Sequence, residues 1–196
     1  MDATGDNHTT APATPRPGRY AVDPARSSLS FRTRHLFGVL PVHGTFAVRG
    51  GTVEVAELFT ASSVRAEVDA DSFRTGNSGR DTAVRSARFL DTVRHPLITF
   101  TAENIGTAAP AHTVTAGEAR PATAEGGRPT AIAGTLTACG VTRPLTLAIG
   151  RAEVLADAFT VRARTRIDRT AFGVTASRGL AGRHLDVTLE IRCVRA

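Results

Sequence analysis

Residues 71–100 read DSFRTGNSGRDTAVRSARFLDTVRHPLITF, and this stretch decides the fold. It opens at the end of an alternating run and passes through Gly76-Asn77-Ser78-Gly79, a cluster that only a turn or loop accommodates. Ala83, Val84, Ala87 and then Leu90 or Asp91 fall near one face at three- and four-residue spacing, with Phe89 beside them. That spacing predicts a helix of roughly three turns from about Arg80 to Asp91. Asn77 or Ser78 serves as its N-cap, and Asp81 sits in the first turn, where a negative charge is favoured. Pro96 stops the helix and pushes His95 towards an extended conformation, so Leu97 to Phe100 read as strand. A lone helix needs a surface to pack on, and the open end of a barrel or sandwich supplies one.

The chain on either side is strand-like. Leu29, Phe31 and Thr33 alternate with Ser30, Arg32 and Arg34, the mark of a half-buried strand. Val42, Phe46 and Val48 resume the pattern, with Gly44 as a bend or close-approach site. Gly50-Gly51 reads as a hairpin turn and Thr52 to Val55 as the start of the return strand. Val64, Ala66, Val68 and Ala70 alternate, as do Ile98, Phe100 and Ala102. Gly134 to Thr137, Leu145 to Ile149, Phe159 to Ile167 and Val187 to Ile191 follow, with Cys139 to Pro144 as a turn. About eight or nine amphipathic strands without a βαβ rhythm predict an all-β, antiparallel fold. A barrel with about eight strands is preferred, because closure removes the edges and leaves room for one small ligand.

The totals agree with one domain. At 196 residues the chain is long enough for a real core. No apolar run approaches the roughly 18 residues of a membrane span. Residues 1–18 are rich in Pro, Thr and Ala and lack the apolar centre of a signal peptide. They read as a disordered tail before a domain at 19–196, in a protein expected to be cytoplasmic. Residues 106–129 are Ala-, Thr-, Gly- and Pro-rich and are expected to be a mobile loop, with a weak strand around Thr113 to Thr115.

All 24 basic residues are arginine, and the net charge is +6. Without lysine there is no Schiff-base or P-loop chemistry. The arginines are scattered and aromatics are few, so no specific nucleic-acid partner is expected; the weak exception is the strand carrying Arg162, Arg164 and Arg166. Cys139 and Cys193 form no zinc or disulfide pattern. Cys193 continues the inward parity of Val187, Leu189 and Ile191. The sequence offers no cofactor, metal set or catalytic constellation, so the protein is expected not to be an enzyme.

Several pieces, taken in order, resemble the YceI-like family of lipocalin-like barrels. They are Tyr20 to Pro24 with Ser27, Phe31 with His35-Leu36, Gly44-Thr45-Phe46, Asp71 to Thr75, and Arg80-Asp81 with Arg85-Ser86. Phe89 to Asp91, Pro96 with Ile98 and Phe100, Gly134 to Thr137, Gly140 to Pro144, and Ile167 to Gly173 complete the set. The chain departs from the family's pattern at Arg26, Ala83, Val84, Arg88 and Leu90.

The resemblance implies a hollow interior that binds a long-chain isoprenoid or amphiphilic lipid, such as a quinone or polyprenyl chain. Its expected wall is Leu29, Phe31, His35, Phe46, Val68, Phe73, Phe89, Ile98, Phe100, Leu136, Leu147, Phe159, Ile167 and Phe172. His35 and His43 are the histidines placed to touch a head group, or to serve a small-molecule enzyme in the same cavity. Arg80-Asp81 and Asp168-Arg169 are expected to pair as ions and fix the helix and a strand turn. A homodimer is compatible with the sequence.

Overall fold

The computed structural model describes residues 14–35, 39–105, 131–177 and 181–196. Its strands are β1 (Gly18–Val22), β2 (Ser28–His35), β3 (Leu40–Val55), β4 (Ser63–Arg74), β5 (Leu97–Ala102), β6 (Ala131–Ala138), β7 (Val141–Val154), β8 (Ala158–Asp168) and β9 (His184–Arg195). One helix, α1 (Ser78–Arg85), lies between β4 and β5. The expected loop at 106–129, its weak strand and residues 1–13 lie outside the described residues.

All pairings are antiparallel. The ring runs β3-β2-β9-β8-β7-β6-β5-β4 and closes through β3–β4, giving an eight-stranded barrel with β1 as an additional strand. β1 pairs with β3 at Gly18–Val55 and with β9 at Val22–Cys193, while β2 pairs with the same neighbours further along. The two therefore fill one slot end to end. Asp23-Pro24 makes the break: Pro24 has no N–H for a ladder, and Asp23 Oδ1 accepts from Ala25 N and Arg26 N at 3.0 and 3.3 Å.

The alternation seen in the sequence matches the register. Along β8 each inward residue pairs with an inward residue of β9, as in Phe159–Cys193 and Ala163–Leu189. Arg162 and Arg166 face solvent, where they meet Glu190 at 3.0 Å and Asp186 at 3.7 Å. Exposed pairs of this kind contribute about 0–1 kcal/mol each.

Two local expectations change. Gly50-Gly51 is not a hairpin turn, because β3 continues through both residues to Val55. A register shift sits between Val48 and Gly50, so the glycines form a bulge that bends the strand and leaves both edges paired. A Cβ at Gly51 would run into the Arg65 carbonyl of β4, which explains why glycine is needed there. The turn written as Cys139 to Pro144 is only Cys139-Gly140, with φ of 50° and 75°. Positive φ at both central residues is the two-residue hairpin geometry that follows the strand twist, and Pro144 lies inside β7 opposite Thr135.

The helix is also shorter than the three turns expected. It ends at Arg85, and Ser86 caps it in an extended conformation (φ −65°, ψ 167°). Residues 86–95 then fold as successive turns, with Leu90 N donating to the Val84 carbonyl, Thr92 N to Arg85, and Asp91 at φ 46°. Asn77 is the N-cap, accepting from Arg80 N at 2.9 Å.

Candidate functional site: an end-to-end apolar cavity

The barrel interior is not filled by side chains. A cavity of about 600 Å³ runs through it, inside the range of small-molecule sites. Along β9 its wall extends from Leu185 to Cys193, about 26 Å at the usual strand rise. Towards α1 it is lined by Leu90, Cys139 and Phe172; at the other end, by Phe59, Ile105, Thr14 and Pro15. Thr14 and Pro15 belong to the segment read as a tail. Their neighbours are held too, Arg16 O accepting from Tyr20 Oη at 2.9 Å and Pro17 O from Arg195 at 3.2 Å.

The wall is made mostly of Val, Leu, Ile, Phe and Ala. Among the described lining residues, Thr14, Ser62, Arg151, Thr165 and Arg169 are those with a nitrogen or oxygen in the side chain. Ser62 and Arg169 are committed to the fold: Ser62 Oγ accepts from Ala56 N at 3.0 Å. Arg169 donates to the carbonyls of Gly182, Val174 and Ala181 at 2.8, 2.6 and 3.1 Å. Such a wall offers a ligand much apolar surface and few hydrogen bonds.

Three buried clusters hold the wall apart. Tyr20, Val22, Val48, Val55, Phe159 and Cys193 pack near the end where the chain begins, with Tyr20 edge-on to Phe159 at 5.0 Å. Phe100, Ala102, Leu136, Ala138 and Phe172 form a second cluster. Phe31, Phe73 and Val187 form the third, towards α1, with Val84 and Leu90 packed against it.

Of the expected wall residues, Leu29, Phe31, Phe46, Val68, Ile98, Phe100, Leu136, Leu147, Phe159, Ile167 and Phe172 line the cavity. Phe73 does not; it stands behind the wall, stacked on Phe31 at 5.4 Å and edge-on to Phe46 at 5.3 Å. Its inward turn comes from a break in β4 phase at Asp71-Ser72, where Ser72 Oγ donates to the Asp69 carbonyl and accepts from Ala47 N. Phe89 is also off the cavity. Because the helix stops at Arg85, Leu90 takes the inward place that helical spacing shared with Phe89. His35 closes β2 opposite Leu40, and its side chain lies outside the described residues. His43 is exposed on the outer face of β3, so it does not reach the cavity.

Sequence reasoning missed wall positions that follow a bulge. In β7 the inward set Leu145, Leu147 and Ile149 becomes Ala152 and Val154 after the register shift at Gly150. Gly150 is the only signal for that change in the sequence.

The segment that lines the α1 end of the cavity is anchored by a polar cluster. Asp81 is buried, and its carboxylate accepts from Thr75 N at 3.0 and 3.1 Å and from Thr75 Oγ1 at 2.5 Å. Arg80 Nε donates to Thr75 Oγ1 at 2.8 Å, so Arg80 reaches Asp81 through Thr75 rather than as the direct pair expected. Arg85 donates to the Phe73 carbonyl at 2.7 Å, and Thr92 Oγ1 to Asp71 at 2.8 Å. Burial alone would raise the Asp81 pKa, but the Thr75 hydrogen bonds and the charges of Arg85 and Arg80 hold it below its usual 3.8.

A depressed folded pKa means that Asp81 stabilises the fold fully above about pH 4 and loses that contribution as acid protonates it. Asp81→Asn is expected to cost about 1–3 kcal/mol near neutral pH. The gap to the wild type narrows below the ordinary carboxylate range. Denaturant midpoints measured across that pH range check both statements.

The second expected pair is corrected likewise. Asp168 pairs with Arg183, at 2.8 and 2.7 Å to Nε and Nη2, and caps Thr170; Arg169 is turned to the three carbonyls above. The Arg183 hydrogen bond is the main reason that the Asp168 carboxyl lies far below its usual value, with burial opposing and Thr170 assisting.

A family profile described as the YceI-like domain matches residues 20–194. The chain belongs to the YceI-like family. Protein YceI of Escherichia coli O157:H7 is 32% identical over 120 residues, which are 61% of this chain and 53% of that protein. Protein YceI of Shigella flexneri gives the same figures. The chain thus spans about half the length of the curated relatives it matches.

Among solved structures, a polyisoprenoid binding domain from Saccharophagus degradans, implicated in plant cell wall breakdown, aligns with a TM-score of 0.63 at 15% identity, covering 90% of this chain and 98% of that chain. Burkholderia cenocepacia BcnA aligns at 0.62 and 18% identity, over 87% and 98%. At these identities the likeness is one of fold, and it is the closed YceI-like barrel found here. Among the described residues no helix is long and apolar enough to cross a membrane.

Proposed function

We propose that this YceI-like barrel, residues 19–196, is a non-enzymatic carrier that holds one long-chain isoprenoid lipid, quinone-like or polyprenyl. The cavity of about 600 Å³ carries the reading, because its wall is predominantly apolar along its length. Its few polar side chains are satisfied by the fold or sit near its ends, and His43 faces outward. A related fold described as a polyisoprenoid binding domain supports the ligand class.

The energetics are adequate. Each buried CH₂ contributes on the order of 0.8 kcal/mol, so an isoprene unit supplies about 3 kcal/mol before entropic costs. Tail length and shape would then set specificity, since the wall has little to read a head group with. In this reading Leu29, Phe31, Phe46, Ile98, Leu136 and Phe159 contact the tail.

Titration of delipidated protein with a prenyl-tailed quinone, followed by intrinsic tyrosine emission or calorimetry, is expected to saturate at one ligand per chain. No saturable uptake of prenyl or straight-chain lipid would remove the proposal.

A further inference from the structure

We propose that the end of the barrel carrying α1 docks on a lipid bilayer with anionic headgroups. The proposal takes its purpose from the carrier reading, but its test does not depend on that reading.

The two ends of the barrel differ in charge. In the described residues at the α1 end (74–96, 139–143 and 168–184), eight arginines face three aspartates. At the opposite end (14–19, 54–64, 103–105, 151–158 and 195–196), four arginines face five acidic residues. Several arginines at the α1 end are available to an outside partner. Arg74 and Arg88 are exposed and have no ion-pair partner among the described residues. Arg94 is 81% exposed, and its ion pair with Asp91 is a long one, at 3.9 Å. Guanidinium groups match phosphate oxygens in a two-pronged geometry.

Exposed aliphatic side chains stand among these charges. Val93 is 92% exposed, in the same segment whose Leu90 lines the cavity. Val39 and Leu40 are 76% and 49% exposed at the start of β3. Since β3 pairs with β4 only from Thr45–Arg74 onward, the stretch from Leu40 to Gly44 reaches roughly 15 Å past the end of β4. Apolar tips within a field of arginine are the combination that an anionic membrane interface holds, by burial in the acyl boundary and by attraction to the headgroups. Nucleic acid shares the phosphates, but aliphatic tips give unpaired bases nothing to stack on. Docking in this pose sets the Leu90 end of the cavity against the source of the lipid.

Flotation of the full chain with vesicles tests this, comparing phosphatidylcholine alone with phosphatidylcholine containing phosphatidylglycerol. Flotation is expected only with phosphatidylglycerol present, and added salt should weaken it. Arg88→Ser and Arg94→Ser should each weaken binding about fivefold. Val93→Asp should weaken it as well, whereas Leu155→Asp, 60% exposed at the opposite end, should not. Equal flotation with neutral vesicles, no flotation at all, an equal effect of Leu155→Asp, or retention on duplex DNA without flotation would each overturn the proposal. Ligand occupancy, read by mass spectrometry on the same variants, should match the wild type. A wild type that floats with the anionic vesicles but carries and takes up no lipid would count against the carrier reading and leave the docking surface standing.

Discussion

Replacing Ala66 and Ala163 together by phenylalanine is expected to abolish lipid uptake while leaving the barrel folded. Both alanines line the cavity, one on β4 and one on β8. In the eight-strand ring these strands lie four places apart in either direction, on opposite walls. Two phenyl rings would therefore enter the lumen from facing sides and take the space of a tail.

The change discriminates because a filled core responds in the opposite way. Overpacking a solid interior costs typically 1–3 kcal/mol per site through strained rotamers and backbone shifts. Rings that enter a cavity of about 600 Å³ meet empty space and add apolar contact. The expected result is no saturable binding with an unchanged or higher melting temperature. Intact binding with a strong drop in melting temperature would show that the space is not where the lipid sits.

The second large effect falls on stability. Phe73→Ala is expected to cost about 3–5 kcal/mol, a fall in melting temperature on the order of 10 °C. Phe73 is 6% exposed and contacts both Phe31 and Phe46, while Val84 and Leu90 pack on the same cluster. Truncation leaves a void between the barrel wall and the α1 segment, and both sides lose contacts at once. Because Phe73 does not line the cavity, lipid stoichiometry at low temperature should stay at one. Thermal melts paired with a binding titration separate the two quantities.

How much of this was legible in the sequence depends on how local each signal is. The alternation in β5, β8 and β9 gave the strand faces directly, because a period of two survives wherever a strand is unbulged. The all-β, antiparallel, barrel-like reading rests on that repetition, whereas the family resemblance rests on motif pieces such as Asp71 to Thr75 and Gly140 to Pro144. Bulges erase it. At Gly50-Gly51 two glycines read equally well as a turn or as a bend within one strand, and only the pairing partners on both sides decide between them. At Asp71-Ser72 and Gly150 the same device changes which residues point inward.

The α1 segment failed differently. Helical spacing extends the pattern past Arg85, but the Ser86 cap and tight turns take over there, and Leu90 rather than Phe89 occupies the wall. Asp168 and Arg169 are adjacent in sequence, but the 3₁₀ turn of Arg169–Phe172 sends Arg169 to three carbonyls and leaves Asp168 to Arg183, 15 residues away. Pairings of that kind follow from tertiary placement and have no signature in neighbouring residues.

A carrier of this kind must hold a lipid in the barrel lumen. Native mass spectrometry of the protein purified from its own host, before and after organic extraction, addresses that directly. The predicted result is a species heavier than the bare chain by one apolar molecule, which extraction removes and added prenyl lipid restores. The bare mass alone, unchanged when prenyl lipids are supplied, would contradict it.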